Sequence, residues 1–178
     1  MRTDATKTLP ALLFWIVTGT FALNLVLLPL LPPFLSLRFN AAWADLFHGA
    51  LRLSFFPLDR SQWPDFLWRL AFYEVCGTCS AVILWQLRAV LKNLAALRPF
   101  VAENARRVGT AAVCLFVVSA AALVRLCFEW LSYGLYQILA TYNTLFVPVF
   151  FVAGLLCLVT ARLFEQAAHL KEDNDLVI

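Results

Sequence analysis

Four ionisable side chains interrupt long apolar runs in this sequence: Arg69, Glu74, Arg125 and Glu129. A charge at the centre of a bilayer-spanning helix costs roughly 2.5–3.5 kcal/mol on insertion scales, so each needs a partner or a polar cavity. Arg125 and Glu129 are four residues apart, which puts them on one helix face. If the two runs cross a membrane in opposite directions, Glu74 and Arg125 reach similar depth. The spacing then predicts an ion pair between them, with Arg69 and Glu129 nearer the outer water. Such a cluster can do three things: fix helix register, hold a ligand or ion in a site open to the outside, or relay a proton. A relay is the weakest reading, because only Thr78, Ser80 and Gln86 follow Glu74 as polar residues and no third ionisable group continues the path.

Cys76-Gly77-Thr78-Cys79 has the Cys-x-x-Cys spacing of thiol-disulfide exchange. Membrane thiol oxidoreductases that use such a pair also need a second one within reach of a soluble partner. Here Cys114, Cys127 and Cys157 all fall in apolar runs, and a thiol in apolar surroundings is inert. The competing reading makes Cys76, Cys79, Gly77 and Ser80 small packing residues that let helices approach closely. His48 and His169 lie in segments on opposite sides of the apolar runs, and no His/Cys/Asp cluster has metal-ligand spacing. No phosphate-cradling glycine loop or nucleophile elbow occurs. The expectation is a protein that is not an enzyme and has no catalytic residues, cofactor or metal. Direct nucleic-acid binding is not expected either, since no basic stripe with interleaved aromatics lies on a polar segment.

The elements that position these residues follow from composition. The chain of 178 residues is 62% hydrophobic and 14% charged, with a mean hydropathy of +0.80, whereas a soluble domain is about half apolar and about a quarter charged. A chain this size cannot bury that surplus in one small core, so lipid must take it. About 20 apolar residues span a bilayer as a helix, and four stretches qualify: residues 12–32, 66–91, 109–131 and 142–164. The runs lack the strict alternation of barrel strands. The fold expected is all-α, an integral membrane four-helix bundle forming a single membrane domain over residues 1–178. The first run is longer than a secretory signal's ~7–15-residue core and has no small-x-small cleavage site, so it reads as a retained anchor.

Lys and Arg near the span ends set orientation. With the N-terminus inside, Arg2, Lys7, Arg88, Lys92, Arg98, Arg106, Arg107, Arg162 and Lys171 collect inside, against Arg38, Arg52 and Arg60 outside. Both termini are therefore expected in the cytoplasm. In the first outer loop, Trp43, Leu46, Phe47, Ala50, Leu51 and Phe55 recur at helical spacing, a pattern suited to a short amphipathic helix on the outer membrane surface. Trp63 to Trp68 reads as an interfacial aromatic belt.

The inner segments are the most distinctive. Pro99 breaks the helix leaving the membrane, Phe100 and Val101 can return to the interface, and Glu103 to Arg107 can open a new helix with an acid–base pair. The fourth helix is expected to project beyond the bilayer, amphipathic through Phe164, Ala168 and Leu170. It runs into Lys171, Glu172 and Asp175 and an apolar tip of Leu176, Val177 and Ile178.

These two segments resemble a family of small bacterial four-span membrane proteins catalogued as domain of unknown function 2975. Its loop pattern is matched by Leu91, Leu94, Pro99, Phe100, Glu103, Asn104 and Arg107, and its C-terminal pattern by Phe164, Leu170, Lys171, Glu172, Asp175, Leu176 and Ile178. The chain departs from the family at Leu97 and Ala167, where the pattern has glycine, at Val177, where it has threonine, and at Val108 and Gly109, which replace a closing Leu-Arg. The resemblance implies a bacterial cytoplasmic-membrane protein without established activity. It also implies, by genomic company alone, a membrane partner that restrains a cytoplasmic helix-turn-helix regulator. Partner contact would fall on Pro99, Phe100, Glu103, Asn104, Arg107, Leu170, Lys171, Glu172, Asp175, Leu176 and Ile178. Expected partners are the lipid bilayer, a cytoplasmic transcription regulator and further copies of the chain in a homo-oligomer. A small carrier or sensor at the charged cluster and a thiol oxidoreductase remain the alternatives.

Overall fold

A computed structural model of the protein describes residues 2–39, 63–96, 98, 100–133 and 143–175. These form four helices: α1 (Arg2–Phe39), α2 (Trp63–Ala95), α3 (Ala102–Tyr133) and α4 (Asn143–Asp175). No strand occurs among the described residues. All four helices are long and apolar enough to cross a membrane, with apolar windows at Leu9–Leu30, Phe66–Ala95, Ala102–Leu131 and Thr144–Lys171. The helical state follows from the solvent: lipid offers no hydrogen bonds, so every backbone N–H and C=O must be satisfied within its own segment.

Helix ends run past the spans expected from hydropathy. α1 continues to Phe39 through Pro29, Pro32 and Pro33, whereas the sequence reading ended the first span at Pro32. Proline is tolerated within membrane helices, where neighbouring groups re-satisfy the freed carbonyls. α3 already begins at Ala102, because the polar turn Glu103–Arg107 is itself helical. The amphipathic surface helix expected around residues 43–55 lies outside the described residues.

Side-chain contacts show that successive helices are antiparallel. Phe14 meets Arg88, Phe21 meets Trp85, and Leu28 meets Gly77 between α1 and α2. Asn93 meets Asn104 and Trp68 meets Phe128 between α2 and α3. Phe116 meets Phe151 between α3 and α4. The helices pack in chain order, α1 on α2, α2 on α3, and most extensively α3 on α4. The result is an all-α four-helix bundle with the start of α1, the α2–α3 turn and the end of α4 gathered at one end.

α3 is the central rod. A third of its span is buried, 33% against 6% for α1 and 11% for α4. Asn104, Ala111, Val118 and Arg125 are buried at seven-residue intervals; the first and last of them meet α2. The adjacent face carries Ala112 and Ser119, both buried, toward α4. There the Ser119 hydroxyl donates to the Val147 carbonyl at 2.9 Å, in the turn where Pro148 removes an N–H from the helix ladder. Gly154 lets the Phe116 ring sit against the α4 backbone: a Cβ there would stand 2.9 Å from Phe116 Cε1. Small residues of this kind allow close helix approach in lipid.

The outer faces are bare hydrocarbon. Trp15 is 71% exposed and Leu131 86% exposed, and further large apolar side chains are exposed on every helix, among them Leu23 and Val26 of α1, Leu67 and Val75 of α2, Val113 and Val117 of α3, and Leu155 and Leu163 of α4. Continuous apolar surface of this extent is incompatible with water. The chain is a multi-pass membrane protein.

Candidate functional site

Among the described residues, the most elaborate polar architecture is at the end that holds the α2–α3 turn. α2 stops when Ala96 N–H bonds the Lys92 carbonyl at 3.1 Å and Arg98 N–H bonds the Asn93 carbonyl at 3.0 Å. α3 starts with Asn104 N–H on the Val101 carbonyl at 2.9 Å. Asn93 Nδ2 then donates to Asn104 Oδ1 at 2.7 Å, joining the two helices directly across the turn. Asn104 is fully enclosed, at 0% exposure. One turn further, Arg107 forms an ion pair with Glu103 and donates to Gln86 Oε1 of α2 at 3.3 Å. Leu91, buried, underlies the turn, while Phe100 stands 48% exposed at its tip beside exposed Arg98.

At the same end α4 runs on to Asp175. Ala168 is buried, whereas Leu170 and Lys171 are exposed. The stripe expected through Phe164, Ala168 and Leu170 is thus narrower: Ala168 packs inward and Leu170 faces away. The side chains of Glu172 and Asp175, together with Pro99, Leu176 and Ile178, lie outside the described residues.

Three cavities open at this end. One, of about 390 Å³, lies among α1, α2 and α3 and is lined by Phe14, Trp85, Arg88, Lys92, Asn93 and Arg107. A second, of about 350 Å³, lies between α3 and α4 over Ala105, Gly109, Ala161 and Ala168, with Arg106 and Arg162 at its rim. A smaller one, of about 260 Å³, sits over Gln86, Glu103 and Arg107.

The intramembrane charged cluster at the opposite end is arranged otherwise than the sequence predicts. Arg125 Nε pairs with Glu129 Oε1 at 2.9 Å within α3, not with Glu74. Its guanidinium lies 4.7 Å from the Phe72 ring centroid and 5.6 Å from that of Tyr73. Helix azimuth explains the difference. Phe72 and Tyr73 put their face of α2 toward α3, with Arg69 one turn away on that face. Glu74 turns instead toward the face of Trp85 and Arg88, which meet Phe21 and Phe14 of α1. Arg125 is 8% exposed, closed in by rings and carboxylate. Of the three cavities, none is lined by Arg69, Glu74, Arg125 or Glu129.

Cys76 and Cys79 are free and half-buried, and Cys79 lies within hydrogen-bonding reach of Cys114 across the α2–α3 interface. They occupy the packing face beside Gly77 and Ser80. The described residues hold no group of three or more His, Cys, Asp or Glu side chains suited to a metal.

The family model for proteins of unknown function designated DUF2975 matches residues 58–178. The chain belongs to this family. No curated protein and no solved structure matches it. In this DUF2975 protein the matching loop residues divide by burial. Asn104 was expected at a partner contact, yet it is enclosed and holds the turn together, because its amide is the acceptor for Asn93. Arg107 is partly buried, clamped between Glu103 and Gln86. Phe100, Glu103, Leu170 and Lys171 remain on the surface. Sequence reasoning missed the basic cavity, although Arg88 and Lys92, four apart where the second span ends, were its legible signal. It also missed Asn93, which carries no mark in sequence beyond its position in the last turns of α2.

Proposed function

We propose that this DUF2975 protein is a non-enzymatic membrane adaptor whose turn end faces the cytoplasm and receives a soluble partner. A helix-turn-helix transcription regulator is the class of partner that the family resemblance implies. What supports this reading is the turn itself. A part-buried hydrogen bond from Asn93 to the fully enclosed Asn104 and a Glu103–Arg107–Gln86 chain hold an exposed aromatic, Phe100, on a rigid base. Aromatic anchors presented at low conformational cost are the typical energetic centres of protein interfaces. The exposed end of α4, with Leu170 and Lys171, adds a second contact strip on the same side. At the alternative site Arg125 is closed in by the Phe72 and Tyr73 rings and by Glu129, and none of the three cavities is lined by it.

The test is site-specific photocrosslinking in cells from position 100, and separately from position 171, followed by identification of the captured species. A soluble DNA-binding protein recovered from both positions supports the adaptor reading. Recovery of lipid and of the chain itself alone overturns it and makes Phe100 a membrane-interface anchor.

A further inference from the structure

The cavity among α1, α2 and α3 has a chemically specific lining, and the adaptor reading uses neither its Arg88 nor its Lys92 nor its Trp85. Arg88 and Lys92 are four residues apart on α2 and project from one face. The Arg88 guanidinium is held over two rings, 5.3 Å from the Phe14 centroid of α1 and 5.8 Å from that of Trp85. Stacked in this way, it keeps its N–H edge for an acceptor. Among the described residues, neither Arg88 nor Lys92 has a carboxylate within ion-pair distance, whereas Arg107, Arg125 and Arg162 each have a glutamate. Arg107 completes the rim, with its charge balanced by Glu103. Two positive charges with no carboxylate partner among the described residues therefore converge on a volume of about 390 Å³, within the ~300–1,000 Å³ range of ligand pockets.

Position decides what kind of anion fits. The cavity lies where the apolar window of α1 begins, at Leu9, and that of α2 ends, at Ala95. This is the level at which lipid headgroups sit. Trp85, 52% exposed, continues the lining onto the lipid-facing surface. The order, from the end inward, is cationic rim, aromatic wall and bare hydrocarbon, which is the order of groups along a phospholipid. Basic pockets between membrane helices bind anionic headgroups in this manner.

We infer that the α1–α2–α3 cleft binds the phosphate of an anionic phospholipid. Arg88 and Lys92 supply charge-assisted hydrogen bonds to its oxygens, and Trp85 lies along the start of an acyl chain. A free phosphate would use the same two cations without the Trp85 wall, so the experiment must separate the two sources. Native mass spectrometry of the full chain in neutral detergent, titrated with phosphatidylglycerol or phosphatidylcholine, does so. Wild type is expected to prefer phosphatidylglycerol by roughly thirtyfold, the product of two cations each contributing a little over fivefold. The double variant Arg88→Gln/Lys92→Gln should reduce that preference to about threefold or less on the same scale. Arg162→Gln, at the same end but outside the cleft, should leave it unchanged. Equal binding of the two lipids by wild type overturns the inference without reference to any variant. An unchanged preference in the double variant overturns it as well. Inorganic phosphate bound by wild type and lost in the double variant, with no preference between the two lipids, assigns the cleft to a soluble anion and overturns the lipid assignment.

Discussion

Removing the Asn104 amide is the sharpest probe of the turn. Asn104→Ala deletes the acceptor of the 2.7 Å bond from Asn93 at a residue with no solvent exposure. An intramolecular hydrogen bond nets about 0.5–1.5 kcal/mol, and a buried group left without its partner costs about 1–3 kcal/mol more. Asn93 is only half-buried, so water relieves part of its loss. The expected destabilisation is about 2 kcal/mol. Asn93→Ala removes the donor to the fully enclosed Asn104 and should cost about as much. The double variant loses the shared bond once rather than twice, so it should fall short of the sum by about 1 kcal/mol, the coupling expected of residues in contact. Phe100→Ala, at the exposed tip of the same turn, should stay within about 0.5 kcal/mol of wild type. Reversible unfolding by SDS titration in mixed micelles, read by far-ultraviolet circular dichroism, measures all four. Hydrogen exchange at the Ala96 and Arg98 amides, now bonded to the Lys92 and Asn93 carbonyls, reports whether the turn itself has loosened. Strict additivity of the two asparagine variants, or an Asn104→Ala protein as stable as Phe100→Ala, would refute the account of the turn as a buried polar clasp.

Two further outcomes test the packing and the charged cluster. Gly154→Val should destabilise by about 1–3 kcal/mol through overpacking, because Phe116 is itself held against Phe151 at 5.6 Å; Phe116→Leu in the same chain should recover part of the loss, and no recovery would show that the contact is not the cause. In double-substitution cycles by the same unfolding assay, Arg125→Gln should couple to Glu129→Gln by at least about 0.5 kcal/mol and to Glu74→Gln by no more than about 0.3 kcal/mol; the reverse order would restore the Glu74–Arg125 pair and reject the azimuth assigned to α2.

Much of the fold was legible because the bilayer admits few solutions. Within α3, every apolar side chain must meet either lipid or another helix, and hydrocarbon suits both. Ala112, Leu115, Val118 and Ala122 are buried, and Val113, Val117 and Leu123 are exposed, yet all are apolar. Hydropathy therefore finds the span without saying which side faces inward. Helix ends were less legible, since a helix does not stop where hydrocarbon stops. Glu103 and Arg107 satisfy each other at i and i+4 and extend α3 into the polar layer, and Pro32 and Pro33 fail to end α1.

The candidate site separates into a part that sequence fixes and a part that only packing fixes. Depth is the first part: at about 1.5 Å of rise per residue, Glu74 and Arg125 do stand at comparable heights in antiparallel helices. Azimuth is the second. Each residue turns the side chain by about 100°, so the step from Tyr73 to Glu74 moves a group from the α3 side of α2 toward its α1 side. α2 has two neighbours, and nothing in its own sequence states which face takes which. The observations that settle it are the α1 contacts of Trp85 and Arg88, which lie on the Glu74 side of α2. The same rule explains the turn end, where Asn93 faces α3 and meets Asn104 while Arg88 lies against Phe14 of α1. A charge or amide on a membrane helix can be assigned a partner only after the contacts that fix the helix's rotation have been found, and for Glu74 those contacts lie about three turns further along α2.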